Sequence, residues 1–261
     1  MPETPLVWKP MPQKEPAEPE KNDGAGAGPC PAEGTAEMET LRAKIAFLEK
    51  KLNIVGSVTR HDVLNQLTAI VGYTELMGMM VEDTNLKSFL DKETQAVNKI
   101  RRQFQFAKDY QNISAEPPRW QNLNNTLHRV REQVDLKEVT ITAETGDLAV
   151  YADSLFEKVF IHLFENTILH GSTATGIRIG LQPDGEFLQV MVEDNGAGIP
   201  AEDKERIFDR GYGKGTGWGL FLARDILAAT GATILENGEP GKGARFVIRL
   251  PPGTFRNGGG E

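Results

Sequence analysis

The chain has 261 residues, of which 39% are hydrophobic and 25% are charged, a composition typical of folded globular proteins. Its formal net charge of −8 argues against a sequence-independent nucleic-acid-binding protein, which needs a basic surface to neutralise phosphates. The single cysteine excludes an intramolecular disulfide and a cysteine-rich zinc site. No apolar run approaches the length of a membrane span and no signal peptide is recognisable, so the sequence predicts a soluble, cytoplasmic protein.

The first 37 residues are rich in Pro, Glu, Gly and Ala, and they offer almost nothing to bury. Such a composition predicts a disordered tail or linker. From about Met38, apolar residues recur at spacings of four and three, which predicts a short coiled-coil segment: Leu41, Ile45, Leu48, Leu52 and Val55. The apolar stripe then shifts phase near residues 56–57, as expected where a two-stranded coil widens into a bundle.

Turn and N-cap residues at positions 82–85 interrupt this helix, and a second amphipathic helix follows up to Pro117 and Pro118. Residues 38–116 are therefore predicted to form a coiled-coil lead-in and a helical hairpin. One hairpin alone cannot bury two broad apolar stripes. We expect two copies to pair as a homodimeric four-helix bundle.

After Pro118 the pattern becomes mixed. Helices are predicted over residues 122–134, 153–170 and up to 229, and strands over 139–143, 177–181 and 187–192 and near residues 234 and 246. These elements do not alternate as βαβ units, so residues 117–254 are predicted to form an α+β sandwich, with helices on one face of a sheet. Residues 255–261 are expected to be frayed.

The first group of candidate functional residues lies in the first hairpin helix, where His61 is followed by Asp62, Asn65 and Gln66. His61 and Asn65 are one helical turn apart and share a face. A neighbouring carboxylate can fix the tautomer of a nucleophilic imidazole and stabilise the cation formed on attack. An amide one turn away can orient a water molecule. Ordinary surface polarity is the alternative interpretation of this group.

A second group combines Asn166 in a predicted helix with Asp194, Gly196 and Gly198 after a predicted strand. An amide side chain suits a hydrated Mg²⁺. A carboxylate such as Asp194 can accept a hydrogen bond from an exocyclic amine like that of adenine, and adjacent glycines let the backbone approach a planar ligand. A structural Asx turn is the alternative for Asp194.

A third group is the glycine-rich segment over residues 211–220, which leads into a helix. Its backbone N–H groups could cradle phosphates at the positive helix terminus, with Lys214 adding a charge. The spacing matches neither a Walker A loop nor a dinucleotide-binding fingerprint. An exposed surface loop is the alternative.

In this order and spacing, His61, Asn166, Asp194-x-Gly-x-Gly and Gly215-x-Gly-x-Gly resemble the sensor histidine kinases of two-component systems. The resemblance covers about residues 40–251, and its ATP-binding part resembles the gyrase–Hsp90–kinase–MutL (GHKL, Bergerat) ATPases. It implies that His61 accepts phosphate from ATP, that Asp62 is its base, that Asn65 serves phosphatase activity and that Asn166 holds Mg²⁺. The nucleotide-binding positions that it implies are Asn166, His170, Asp194, Gly196, Gly198, Ile199, Phe208, Lys214, Gly215, Thr216, Gly217, Gly219 and Leu220.

Two departures from the family pattern leave roles open. Gln66 stands where a proline is common and creates a second phosphatase-like pattern, so either Asn65 or Gln66 could position the hydrolytic water. His162 replaces an asparagine, which puts a second metal-contacting amide in doubt. The stimulus is expected to come from the cytosol, from another chain or from a segment removed from this one.

The resemblance predicts autophosphorylation with ATP and Mg²⁺, followed by transfer to an aspartate of a response-regulator receiver domain. Two alternatives remain. One is a hydroxyl kinase or mechanical ATPase of the same superfamily, and the other is a non-catalytic scaffold.

Overall fold

The computed structural model describes residues 31–171, 174–213 and 216–257. The chain divides into two compact units, residues 1–51 and residues 52–261. Helix α1 (Pro31–Met80) runs through the division. Within the first unit, Leu41, Ile45 and Leu48 of the heptad pattern are more than half exposed in the single chain. The side chain of Val55 and most of the tail predicted over residues 1–37 lie outside the described residues.

A three-residue connection joins α1 to α2 (Thr84–Asn112). Asp83 caps α2, because its carboxylate accepts hydrogen bonds from the backbone N–H groups of Asn85 and Leu86. This confirms the turn predicted at residues 82–85. Helix α2 ends at Asn112, earlier than Pro117, since Ser114 adopts a positive φ of 59° and donates its N–H to the buried Asp153.

The second half of the chain contains two sheets. The larger has the order β2-β4-β5-β7-β6, built from β2 (Thr140–Glu144), β4 (Gly176–Asp184), β5 (Phe187–Asp194), β6 (Thr233–Glu236) and β7 (Arg245–Leu250). Among the pairs of described strands, only β2–β4 is parallel. The smaller has the order β1-β3-β8, built from β1 (Arg119–Asn122), β3 (Leu148–Ala152) and β8 (Phe255–Asn257).

The smaller sheet was not predicted, and it corrects the expectation that fraying begins at residue 255. Strand β8 pairs antiparallel with β3, which satisfies its backbone groups. Strand β1 is short and polar, with no alternation of apolar residues to indicate it. The fraying expected for the last four residues lies outside the described residues.

Three helices pack on the larger sheet: α3 (Leu123–Gln133), α4 (Phe156–His170) and α5 (Gly219–Ala228). Their apolar faces form one core with the inward residues of the strands, such as Ile179, Val190 and Ile248. The opposite face of the sheet carries charged pairs such as Arg249 with Asp184. This arrangement confirms the predicted α+β sandwich with helices on one face.

Candidate nucleotide site and histidine site

Asp194 lies at the end of β5, and three protein donors fix its carboxylate. Oδ1 accepts hydrogen bonds from the N–H of Gly196 at 2.9 Å and from the N–H of Ala244 at 3.0 Å. Oδ2 accepts a hydrogen bond from Thr167 Oγ1 at 3.0 Å. An ionised carboxylate offers roughly four lone-pair positions, so one position remains for a donor from a ligand.

Glycines surround Asp194 because no side chain fits there. A Cβ at Gly243, whose φ is +113°, would lie 1.8 Å from the carbonyl oxygen of Asp194. A Cβ at Gly196 would lie 2.5 Å from the carbonyl oxygen of Gly171, and one at Gly198 would lie 2.9 Å from that of Glu239. Ile199 is partly buried against the core next to them. The backbone therefore approaches closely here, as the sequence pattern of Asp194, Gly196 and Gly198 predicts.

Three polar residues lie near the C-terminal end of α4: the predicted site residues Asn166 and His170, and Thr167 beside Asn166. Asn166 is half-buried, and Thr167, which sequence reasoning did not single out, is buried beneath Asp194. His170 is the exposed last residue of the helix. Two turns before His170, His162 Nδ1 lies 3.1 Å from Glu165 Oε2. This hydrogen bond from His162 holds the pKa of Glu165 below its ordinary value of 4.5.

The glycine-rich segment begins after Phe208, which is buried and packs edge-on against Phe246 in the core. Lys214 and Gly215 lie outside the described residues. Beyond them, Thr216 is half-buried, Gly217 has a φ of +65°, Gly219 begins α5, and Leu220 packs against the core. The segment therefore leads into the N-terminus of a helix, the position where backbone N–H groups are free to bind an anion.

Two contacts anchor the start of this segment. The hydroxyl of Tyr212 donates a hydrogen bond to the carboxylate of Asp203, and the guanidinium of Arg206 stacks 4.5 Å from the centre of the Tyr212 ring. The hydrogen bond to Asp203 raises the pKa of Tyr212 above its ordinary value of 10.0. Gly211 closes the loop by donating its N–H to the carbonyl of Gly217 at 2.9 Å.

The histidine site is separate from the nucleotide site and lies on the exposed surface of α1. The side chain of His61 is 75% exposed, and its Nδ1 lies 3.2 Å from Asp62 Oδ1. The amide nitrogen of Asn65 is 3.3 Å from Nδ1 and 3.4 Å from Nε2. Gln66 is exposed on the next face. The structure thus brings Asp62 and Asn65 onto His61. An ionised carboxylate only accepts, so Nδ1 donates to Asp62 and Nε2 carries the lone pair.

The described residues contain no group of three or more His, Cys, Asp or Glu side chains that could hold a metal ion. Among the described helices, none is long and apolar enough to cross a membrane.

Residues 152–254 match the family of histidine kinase-, DNA gyrase B- and HSP90-like ATPases. This range contains Asn166, Asp194 and the glycine-rich segment. Residues 152–254 are thus an ATP-binding domain of the GHKL type.

Relatives extend the match to the hairpin. The signal transduction histidine-protein kinase AtoS of Escherichia coli is 29% identical over 241 residues, which are 83% of this chain and 38% of AtoS. The alginate biosynthesis sensor protein KinB of Pseudomonas aeruginosa is 35% identical over 137 residues, 49% of this chain and 23% of KinB. The chain is therefore similar, over its hairpin and its ATP-binding domain, to two-component sensor histidine kinases.

Sensor histidine kinases such as AtoS are protein histidine kinases. The chain spans less than half the length of the curated relatives that it matches. Among solved structures, full-length ShkA in complex with AMPPNP has a TM-score of 0.59 at 16% identity, covering 78% of this chain and 46% of ShkA. That likeness concerns the fold, a helical region followed by the α/β ATP-binding domain.

Proposed function

We propose that this chain uses ATP to phosphorylate His61 and passes the phosphoryl group to a receiver domain. The observation that carries the proposal is the contact between His61 and Asp62. An exposed imidazole with a carboxylate on Nδ1 has its nucleophilic lone pair on Nε2, and it shares a chain with an ATP-binding domain.

The proposed reaction is an in-line displacement at the γ-phosphorus of ATP. Nε2 of His61 forms the new P–N bond as the bond from phosphorus to the β,γ-bridging oxygen breaks, and ADP leaves with that oxygen. The ring becomes an imidazolium whose Nδ1 proton remains hydrogen-bonded to Asp62 or passes to it. The carboxylate therefore stabilises the positive charge that forms on the ring.

Asp194 is proposed to select the adenine base. Its remaining acceptor position suits the exocyclic amine of adenine. His170, Ile199 and Phe208 are proposed to complete the nucleoside site, as the family pattern implies. Lys214, Gly215, Thr216, Gly217 and Gly219 are proposed to bind the phosphates, and Leu220 to support that loop from the core.

Mg²⁺ is proposed to be held by Asn166, water and the ATP phosphates. A single half-buried amide fits this role, because Mg²⁺ keeps several waters and uses few protein ligands when it accompanies a nucleotide. When bound, the ion neutralises charge on the phosphates.

A homodimer through the hairpin is proposed because apolar side chains of α1 and α2 lie open in the single chain. Tyr73 is 68% exposed, Leu76 57% and Phe89 63%. A helical surface of this kind stabilises a bundle when a second copy covers it. Light scattering coupled to size exclusion should give the mass of two chains, and a single-chain mass would contradict the dimer.

Phosphatase activity toward the phosphorylated receiver is a second proposed activity. Asn65 supports it, because its amide lies within hydrogen-bond distance of the His61 ring, where a receiver aspartate would dock. An amide in that position can orient an attacking water.

The test is incubation with γ-labelled ATP and Mg²⁺, comparing wild type with His61→Gln and Asn166→Ala. His128→Gln is a matched control, because His128 is 74% exposed and lies 3.6 Å from Glu132 in a helix, much as His61 lies beside Asp62. We expect acid-labile, base-stable label on wild type and on His128→Gln alone. Acid-stable label on His61→Gln would contradict the proposal in favour of a hydroxyl kinase. Nucleotide binding without any label would favour the scaffold.

A further inference from the structure

Thr167 occupies a buried position between helix α4 and the end of strand β5. Its side chain is next to Asn166 in sequence, but its hydroxyl donates to Asp194 Oδ2 at 3.0 Å rather than facing solvent. We propose that Thr167 is a positioning residue that fixes the Asp194 carboxylate for adenine and thereby sets the preference for ATP over GTP. This inference rests on the nucleotide site proposed above.

The hydroxyl of Thr167 has one proton and two acceptors within reach. The carbonyl oxygen of Leu163 lies at 3.3 Å and Asp194 Oδ2 at 3.0 Å. The carboxylate is both the nearer acceptor and the charged one, and hydrogen bonds to charged groups are the stronger class. The proton therefore belongs mainly to the bond with Asp194.

Without that proton, the carboxylate is held at one oxygen only. The N–H groups of Gly196 and Ala244 both donate to Oδ1, so they leave Asp194 free to pivot about that atom. Thr167 supplies the only bond to Oδ2 from the part of the chain that the structure describes. The ligand-facing lone pair keeps a fixed direction only while all three donors are in place.

A fixed direction matters because the two purines differ in polarity at the same edge. Adenine presents an amine, which donates, where guanine presents a carbonyl oxygen, which accepts. A rigid carboxylate accepts a hydrogen bond from the adenine amine and repels the guanine carbonyl oxygen. A carboxylate that can turn loses affinity for adenine and lets guanine avoid the repulsion.

The experiment measures dissociation constants of the full chain for ATP and GTP by calorimetry, with autophosphorylation kinetics alongside. Thr167→Val keeps the shape and removes the donor, and Thr167→Ser restores it. We expect Thr167→Val to weaken ATP binding about tenfold and to reduce the ATP-to-GTP preference by a similar factor. The KM for ATP should rise while kcat changes by less than about twofold, and Thr167→Ser should behave like wild type within about twofold.

Thr126→Val is the matched control, because Thr126 is fully buried in α3 and its hydroxyl also donates to a carbonyl four residues earlier. It should leave the ATP-to-GTP preference unchanged. If Thr167→Val does not fold, Thr167→Ala is measured in its place, and the binding stoichiometry gives the folded fraction.

The outcomes separate the inference from the function on which it rests. Failure of wild type to bind ATP, or an Asp194→Asn variant with wild-type affinity, would overturn the proposed nucleotide site itself. ATP binding that is lost in Asp194→Asn but unchanged in Thr167→Val would overturn the role of Thr167 alone. An equal loss in Thr126→Val would also overturn it, by showing a general effect of removing buried hydroxyls.

Discussion

The ring of Phe106 in α2 lies 4.6 Å, centre to centre, from the ring of Trp218, the residue that precedes α5. Tyr110, one turn later, stacks 5.8 Å from Phe221 at an interplanar angle of 23°. Together these four aromatic residues form a cluster that joins the hairpin to the end of the glycine-rich segment. The hairpin is therefore in direct contact with the part of the ATP-binding domain that is proposed to bind phosphates.

The aromatic cluster lies at the level of His61, the proposed phosphoacceptor, along the hairpin. The guanidinium of Arg60, the neighbour of His61, donates a hydrogen bond to Gln111, the neighbour of Tyr110. The buried Asp109 on the same helix lies 3.8 Å from Lys158 of α4. A shift of the hairpin helices would thus reach both His61 and the glycine-rich segment.

We predict that Phe106→Ala loosens the contact between hairpin and ATP-binding domain. Losing a partly buried aromatic ring should lower the free energy of unfolding by about 2 kcal/mol. Trp218 should become more exposed, which shifts its fluorescence to the red, and proteolysis between residues 113 and 118 should accelerate. Phe89→Ala is the control for the Trp218 fluorescence and for proteolysis, because Phe89 lies on the same helix but 17 residues before Phe106. Equal effects of the two substitutions would contradict a specific contact.

Gly217 should be the least replaceable glycine of the described part of the glycine-rich segment. Its φ is +65°, and a Cβ would lie 2.5 Å from the carbonyl carbon of Gly211 and 2.6 Å from the oxygen of Tyr212. Gly217→Ala must therefore move backbone, and we expect it to weaken ATP binding by about tenfold or more. Gly213→Ala is the control for the cost of the positive φ alone, since Gly213 has a φ of +96° and an added Cβ would have nothing within 4 Å. Calorimetric titration of both variants with ATP tests this, and a smaller loss for Gly217→Ala would be evidence against it.

The sequence was most informative where one short segment determines both backbone and chemistry. Periodicity predicted α3 and α4, and the carboxylate of Asp194 with its two glycines predicted a close backbone approach that the structure contains. Such features are local, because a turn, a positive φ or an amphipathic face depends on residues near in sequence.

Contacts between distant segments could not be predicted in the same way. Thr167 and Asp194 are 27 positions apart, and neither the helix nor the strand pattern indicates that their side chains meet. The sequence likewise does not indicate that Phe106 and Trp218 are in contact, since each side chain suits an ordinary apolar surface. The domain boundaries at residues 38, 117 and 254 stay predictions.

The pKa of Tyr212 provides a pH-dependent test of the anchored glycine-rich segment. The folded state holds the hydroxyl proton more tightly because of the hydrogen bond to Asp203. The contribution of this hydrogen bond to stability is therefore present in full below pH 10.0 and is lost as pH rises through the higher folded pKa. We expect Tyr212 to ionise late in an ultraviolet titration, and Tyr212→Phe to remove that phase. Asp203→Ala should move the phase back toward 10.0. A late phase that survives in Tyr212→Phe would show that another tyrosine produces it.

Asn65 and Gln66 can be separated as candidates for the phosphatase role. Asn65 lies against the His61 ring, whereas Gln66 points from the adjacent, exposed face of the same helix. A water oriented for attack on a receiver phosphate docked at His61 needs an amide on the face of His61 itself. We therefore expect Asn65→Ala to slow dephosphorylation about tenfold or more, and Gln66→Ala to slow it by less than about threefold.

The substrate for this comparison is the receiver domain that accepts label fastest from the wild-type protein. Loss of label from the isolated phospho-receiver is followed after adding each variant with ADP and Mg²⁺. Autophosphorylation of each variant is measured in parallel, so that a general defect in His61 chemistry is distinguished from a loss of water positioning. A larger effect of Gln66→Ala would reverse the assignment, because the water would then be held from the neighbouring face.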